Sequence, residues 1–167
     1  MLLTPSRLSL GVLVLAFVAS GCGLFGGGKA PEVPETPETP ETPIGPTSVS
    51  LTGLDDMNAG GNAARVYLYP LVSDATFLAT PVQAFWDDPE GTLADDLVGA
   101  VRDATVRPGQ TTSLEDLTLE GATFLGVAAD LREPESGEWR AVLPASQVRG
   151  KALRITVAEG GLSVRAR

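Results

Sequence analysis

Apolar and polar residues alternate through most of the chain from residue 48 to residue 167. Successive side chains of a β-strand point to opposite faces, so this period of two predicts strands that are buried on one side. Turn sequences separate the alternating runs, and Glu159-Gly160-Gly161 is predicted to join the last two strands as a hairpin. The predicted strands are 48–52, 65–69, 104–107, 111–119, 122–131, 139–143, 152–158 and 162–166. Eight short strands with frequent turns favour an all-β fold, a two-sheet β-sandwich.

The period changes between residues 73 and 101, where we predict a short helical insertion. Ser73 is expected to cap a helical turn that carries Phe77 and Leu78. A second helix is predicted to begin at Thr92, because a Thr side chain can cap a first turn and Asp95 lies three residues further on. The apolar residues on one face of that helix are Leu93, Leu97 and Val101.

The composition excludes most catalytic sites. The 167 residues contain no His and one Cys, which excludes His-based acid–base pairs, His-containing zinc sites and an internal disulfide. A net charge of −9 argues against nucleic-acid binding. Adjacent carboxylates on a strand or helix point apart, so none of the acidic pairs forms a glycosidase dyad. We therefore expect no enzymatic activity, no metal and no cofactor. The acidic pairs are Asp55-Asp56, Asp87-Asp88 and Asp95-Asp96.

The aromatic residues allow two interpretations. The simpler one places them in the core or at its edge. The alternative is an exposed aromatic surface for a partner. The residues concerned are Phe77, Phe85, Trp86, Phe124 and Trp139.

The first 47 residues are predicted to lie outside the sandwich. Arg7, the apolar run 8–18 and the small residues before Cys22 have the layout of a signal peptide, predicted as 1–21. Residues 18–22, Val-Ala-Ser-Gly-Cys, resemble the bacterial lipobox, which implies a covalent lipid on Cys22; the alternative is a secreted protein with a free Cys. Because Gly23 follows rather than Asp, the resemblance implies the outer membrane, facing the periplasm. Residues 22–47 then form a Gly-rich and Pro-Glu-Thr tether, interpreted as a spacer. The folded domain is therefore predicted as 48–167.

Several phrases of that domain, taken in order, resemble the type VI secretion lipoprotein family TssJ, also called SciN or VasD. They are Arg65-Val66-Tyr67-Leu68-Tyr69-Pro70-Leu71, Phe77, Leu93-Ala94-Asp95-Asp96-Leu97, Arg107-Pro108-Gly109, Phe124-Leu125-Gly126-Val127-Ala128-Ala129 and Glu138-Trp139-Arg140. One departure is Pro70, where the family usually has Gln. Proline lacks the N–H that a ladder needs, so we expect hydrogen bonding of that strand to end early.

The resemblance implies a transthyretin-like β-sandwich with an added helical segment. It also implies an outer-membrane lipoprotein that anchors a membrane complex by binding the periplasmic C-terminal region of TssM, with TssL as an indirect partner. The alternative is another outer-membrane lipoprotein with a transthyretin-like or immunoglobulin-like binding domain.

In the family, the loop between the first two strands helps to make the TssM contact, and here this loop spans Leu54–Ala63. We expect charge from two Asp residues, an adaptable apolar tip from Met57 and close backbone approach at the glycines. The alternative is a loose hairpin loop with no partner. The candidate contact residues are Leu54, Asp55, Asp56, Met57, Asn58, Gly60, Gly61 and Asn62.

Overall fold

The computed structural model of the chain describes residues 46–134 and 138–167. The signal peptide, Cys22 and nearly all of the tether lie outside the described residues and stay predictions. No helix within the described ranges is long and apolar enough to cross a membrane.

Eight strands form two four-stranded sheets, which confirms the predicted two-sheet sandwich. Sheet A has the order β4-β1-β7-β8, and sheet B has the order β3-β2-β5-β6. Neighbours pair antiparallel except β1 and β7, which pair in parallel from Ser48↔Ala152 to Gly53↔Val157. The strands are β1 Thr47–Gly53, β2 Ala64–Leu71, β3 Arg102–Val106, β4 Thr111–Leu117, β5 Phe124–Asp130, β6 Arg140–Pro144, β7 Ala152–Val157 and β8 Leu162–Ala166.

The core follows the alternation seen in the sequence. Leu51 of β1 and Ile155 of β7 are completely buried, while the residues beside them in each strand are exposed or half-buried, so sheet A covers the core with one face. Strand β5 differs, because Leu125 to Ala129 are all buried. A strand buried on both faces requires a second layer on the outer side of sheet B.

A short helical insertion provides that layer. Its helices are α2 Ala75–Ala79, α3 Val82–Asp87 and α4 Pro89–Thr92; the remaining helical segments are α1 Met57–Gly61 and α5 Ala145–Val148. The predicted turn with Phe77 and Leu78 is confirmed as α2. The N-cap residue is Asp74 rather than Ser73, although the Ser73 hydroxyl accepts a 3.3 Å hydrogen bond from the N–H of Ala75. Helix α5 was not predicted from the sequence.

An aromatic cluster joins the insertion to sheet B. The Phe77 ring lies 5.9 Å from Tyr69 of β2 and 5.5 Å from Phe85 of α3, and Trp139 lies 5.1 Å from Phe85. Phe77, Phe85 and Trp139 are buried, which confirms the core interpretation for these three. A Cβ on Gly126 would come within 3.3 Å of the Phe77 ring, so this glycine of β5 leaves room for the ring.

The prediction that a helix begins at Thr92 is wrong. Thr92 instead ends α4, which starts with Pro89 and is capped by Asp88, whose carboxylate accepts a 3.0 Å hydrogen bond from Gly91. Turns follow, and the chain then runs along the end of β2, where Leu97 forms a bridge with Leu71. The free backbone groups at this end of β2 need partners, and satisfying them outweighs the helical spacing of the apolar residues.

The expectation that Pro70 ends the hydrogen bonding of β2 is also wrong. Pairing with β5 continues through Pro70↔Leu125 and Leu71↔Phe124. On the other side, the ladder with β3 stops at Leu68, and the Pro70 carbonyl accepts a 3.0 Å hydrogen bond from Val98. Pro70 is tolerated because it follows the last residue that pairs with β3.

Candidate partner-binding loop

The loop Leu54–Ala63 connects sheet A to sheet B at one end of the sandwich. Its central segment α1 is a left-handed turn, because Asn58, Ala59 and Gly60 have φ values of 51°, 57° and 83°. This region of backbone conformation favours Gly and tolerates Asn. The sequence Asn-Ala-Gly-Gly therefore suits a tight left-handed turn.

Backbone hydrogen bonds attach the loop to the turn between β7 and β8. The N–H of Leu54 donates to Val157 O at 2.9 Å, that of Asn58 to Ala158 O at 3.0 Å, and that of Ala59 to Glu159 O at 3.1 Å. The parallel pairing of β1 with β7 brings the ends of the two strands together and makes these bonds geometrically available. The loop is therefore fixed to a second loop.

Asn58 ties the loop to a third segment. Its side-chain oxygen accepts a 2.7 Å hydrogen bond from the N–H of Arg132, just after β5, and its Nδ2 donates to Ala63 O at 2.7 Å. The side chain is 2% exposed. The Asn62 amide adds bonds of 3.0 Å and 2.8 Å to the carbonyls of Asn58 and Ala59. Asn62 thus acts within the loop, whereas Asn58 also binds the loop to the segment after β5.

Met57 is completely buried, so the prediction that it forms an accessible apolar tip is wrong. Its side chain packs over Gly53, where a Cβ would collide with the Met57 sulfur and approach Arg107 O to 2.5 Å. Met fills irregular gaps well, and here it fills the space beneath the loop. The loop is also not loose, as the alternative supposed, because it is hydrogen-bonded to its neighbours along its length.

Five of the predicted contact residues remain exposed. Leu54 is 44% exposed, which is unusual for a large apolar side chain in this domain, and the two acidic residues follow it directly. The turn from Arg107 to Gln110 lies alongside: Gly109 has a φ of 66°, and a Cβ there would lie 2.8 Å from Asp55 Oδ1. We call the surface of Leu54, Asp55, Asp56, Gly60 and Gly61 the Leu54 surface.

The residues that support this surface could not be identified from the sequence. Ala158, Glu159 and Arg132 hold the loop mainly through backbone groups, and a backbone bond leaves no signal in side-chain identity. The turn at 159–161 was predicted, but its contact with the loop depends on the pairing of β1 with β7. No group of three or more Asp, Glu, Cys or His residues with metal-binding geometry occurs in the described part of the chain.

Comparison with known proteins identifies the family. A model of the type VI secretion lipoprotein family, whose description names VasD, EvfM and TssJ, matches residues 46–160. The chain belongs to the type VI secretion lipoprotein family. The family match covers most of the predicted domain, so the alternative of another outer-membrane lipoprotein with a transthyretin-like or immunoglobulin-like binding domain is not supported. No curated protein matches the chain.

Solved structures agree with the family. The chain is similar to the type VI lipoprotein TssJ1 from Pseudomonas aeruginosa, with 29% identity and a TM-score of 0.61 over 73% of this chain and 97% of that one. A chain in a structure named "Type VI membrane complex" gives 23% identity and a TM-score of 0.66, with 73% and 98% covered. A chain in a structure named for the TssM C-terminal domain from EAEC has 22% sequence identity and a TM-score of 0.63, over 73% of this chain and 98% of that one. The sandwich is thus the transthyretin-like fold of this family.

Proposed function

We propose that this chain is the outer-membrane lipoprotein of a type VI secretion membrane complex, and that it anchors the complex by binding the periplasmic C-terminal region of TssM. TssL would be connected only through TssM. Membership of the lipoprotein family supports the general role. Two of the similar chains come from structures named for the TssM C-terminal domain and for the type VI membrane complex, which supports the choice of partner.

The observation that carries the proposed contact is the fixed conformation of the Leu54 surface. Buried Met57 and Asn58 hold the loop from below, and the hydrogen bonds to Ala158 and Glu159 hold it from the side. A loop ordered before binding loses little conformational entropy when a partner arrives. Leu54 offers an apolar anchor, and Asp55 and Asp56 offer charge for orientation.

The proposed role requires no chemistry from the protein. A lipid on Cys22 would hold the chain in the outer membrane, facing the periplasm, and residues 23–46 would span the distance to the domain. The lipid is a covalent anchor, so no cofactor is needed. Binding through Leu54 and two carboxylates needs neither a metal nor a catalytic group.

A titration tests the proposal. The mature chain from residue 22, with Cys22→Ser to keep it free of lipid, would be titrated by calorimetry with the periplasmic C-terminal region of its cognate TssM. We expect saturable binding. If both proteins are folded by circular dichroism and no heat of binding is detected at micromolar concentrations, the proposed function is wrong.

A further inference from the structure

The outer face of sheet A carries only hydroxyl and arginine side chains in two complete rows across its four strands. The strand registers place Ser113, Ser50, Arg154 and Arg165 in one row, and Thr111, Thr52, Thr156 and Ser163 in the next. These side chains are exposed or half-buried. The Thr52 and Thr111 hydroxyls lie 3.0 Å apart, as expected for cross-strand neighbours. We call these eight residues, together with Arg167, the hydroxyl–arginine face.

Its positive charge is concentrated, and its arginines make no direct salt bridge with the described residues. Arg154 and Arg165 are direct cross-strand partners, and like charges in that position repel each other. Among the residues that the structure describes, the one salt bridge joins Arg65 to Asp103, so neither arginine has an ion-pair partner there. Arg154 and Arg165 line one shallow groove with Arg167, and Lys151 lies in the adjoining groove.

The positive charge of this face contrasts with the acidic composition of the domain as a whole. Residues 48–167 contain 10 basic and 17 acidic residues, a net charge of −7, and yet none of the nine positions of the face is acidic. Four of the ten basic residues, the three arginines and Lys151, are gathered at one edge of one sheet. An anionic surface would attract this edge and repel most of the rest, so it would orient the domain.

The chemistry of the face fits phosphate groups. Arginine binds phosphate through a planar fork of N–H donors, and hydroxyl groups add further hydrogen bonds. The aromatic cluster lies on the other sheet, so the face has no ring on which a sugar could stack. Flat rows of small hydroxyls with arginines at the edge suit a broad surface of phosphodiesters better than an enclosed ligand.

The face also lies beside the point where the anchored segment enters the domain. The chain enters β1 at Thr47, and Ser48 pairs with Ala152 at the start of β7. Ala152 in turn exchanges two backbone hydrogen bonds, of 3.2 Å and 3.0 Å, with Arg167. Any anchor that precedes residue 46 therefore reaches the sandwich close to its most basic edge.

From this arrangement we infer that the hydroxyl–arginine face docks on the phosphate headgroups of an anionic phospholipid bilayer. The inference goes beyond the proposed function and depends on it only in taking the chain to be attached to a membrane. A lipid anchor supplies attachment but no orientation. Docking of this face would fix the orientation and leave the Leu54 surface, on the loops at one end of the sandwich, available to a protein partner.

Vesicle co-sedimentation tests the inference. The mature Cys22→Ser chain would be mixed with phosphatidylcholine vesicles or with vesicles that also contain phosphatidylglycerol. We expect binding to the anionic vesicles only, and loss of binding when the ionic strength rises from about 0.02 M to about 0.3 M. Arg154→Gln with Arg165→Gln should lower the partition coefficient about 10- to 30-fold, since each arginine near an anionic surface contributes several-fold.

The matched control is Arg107→Gln with Arg132→Gln, which removes the same charge from exposed residues elsewhere. The control should lower binding about threefold or less. Equal losses in the two double variants, or no binding to anionic vesicles at low salt, would overturn the inference. A loss of TssM binding in the Arg154/Arg165 variant would also overturn the inference, because the face would then be a protein-binding surface.

Loss of vesicle binding in the Arg154/Arg165 variant would not result from unfolding of the domain. Removing two like charges that face each other should leave the melting temperature unchanged or slightly raised. The TssM titration of the wild-type chain is independent of vesicles, so failure of the inference and failure of the proposed function give different results.

Discussion

The side-chain oxygen of Asn58 accepts a 2.7 Å hydrogen bond from the backbone N–H of Arg132, which lies 74 residues further along the chain. The bond links the loop between β1 and β2 to the segment that follows β5. It explains how a loop rich in glycine and alanine keeps one conformation. The Leu54 surface therefore depends on a buried polar side chain that no partner would touch.

Asn58→Ala should lower the free energy of unfolding by about 2–4 kcal/mol. The variant loses two hydrogen bonds, leaves a backbone N–H without its partner, and places Ala at a φ of 51°. Chemical denaturation measures the change. Asp56→Ala, two residues away and exposed, is the control and should change stability by about 0.5 kcal/mol or less. Equal effects of the two substitutions would show that Asn58 does not hold the loop.

Arg140→Lys should destabilise the domain by about 1–3 kcal/mol. The Arg140 guanidinium donates to the carbonyls of Phe77, Leu78 and Thr80, so it caps the end of α2, and it also stacks over the Trp139 ring at 4.6 Å. Burial lowers the pKa of Arg140, but a guanidinium keeps its charge at neutral pH. A lysine ammonium cannot reproduce the planar fork.

Urea unfolding of this variant would be compared with Arg107→Lys, whose side chain is exposed and should be insensitive. An Arg140→Lys protein as stable as wild type would mean that the insertion is held by the aromatic cluster alone.

Ionisation of Tyr69 should lower the free energy of unfolding of the domain at alkaline pH. Burial raises the pKa of the Tyr69 phenol well above its usual value of 10. Because the folded-state pKa is the higher one, the unfolded chain releases this proton first as the pH rises. The stabilisation is complete below pH 10 and is lost above it, by about 1.4 kcal/mol per pH unit.

Tyr69→Phe should remove this part of the pH dependence. Denaturant unfolding at pH 9, 10 and 11 would compare the two proteins, and the difference between them should grow steadily above pH 10. Parallel pH profiles would contradict the assignment. Tyr67, the other tyrosine of the chain, stays in both proteins and serves as an internal control.

Cys22→Ser in the full-length chain should abolish incorporation of labelled palmitate. Cys22 is the one cysteine of the sequence, so no other thiol can accept a lipid. Cells that produce the protein would be labelled, and the immunoprecipitated chain would be examined by autoradiography beside wild type. Label that persists at the wild-type level would contradict lipidation of this residue.

The strands could be predicted because their signal is local. Leu51, Ile155 and similar residues alternate with polar neighbours, and this alternation is evidence within the run itself of burial on one face. Strand β5 is the exception, because it is buried on both faces. The same local reasoning failed at Thr92. The spacing of Leu93 and Leu97 fits a helix, but the end of β2 required hydrogen-bond partners, and those are visible only once the sheet exists.

The candidate loop could be located from the sequence but not described. Its position between the first two strands and its candidate contact residues were available from the residue order and the family resemblance, whereas the exposure of Leu54 was not. The burial of Met57 was not, because it results from the missing side chain of Gly53 and from the nearby turn at Arg107. The Arg132 partner of Asn58 lies 74 residues along the chain, and the sequence contains no sign of that bond.

The most direct test of the account compares two exposed leucines. Leu54 is 44% exposed in the loop before β2, and Leu78 is 47% exposed in α2, beyond the other end of the same strand. Replacing either by Ala should change stability by less than about 1 kcal/mol, because neither is in the core. The mature Cys22→Ser chain carrying each substitution would be titrated with the cognate TssM periplasmic region. We predict that Leu54→Ala weakens binding about tenfold or more and that Leu78→Ala leaves it unchanged. Unchanged affinity for Leu54→Ala, or an equal loss for Leu78→Ala, would contradict the account.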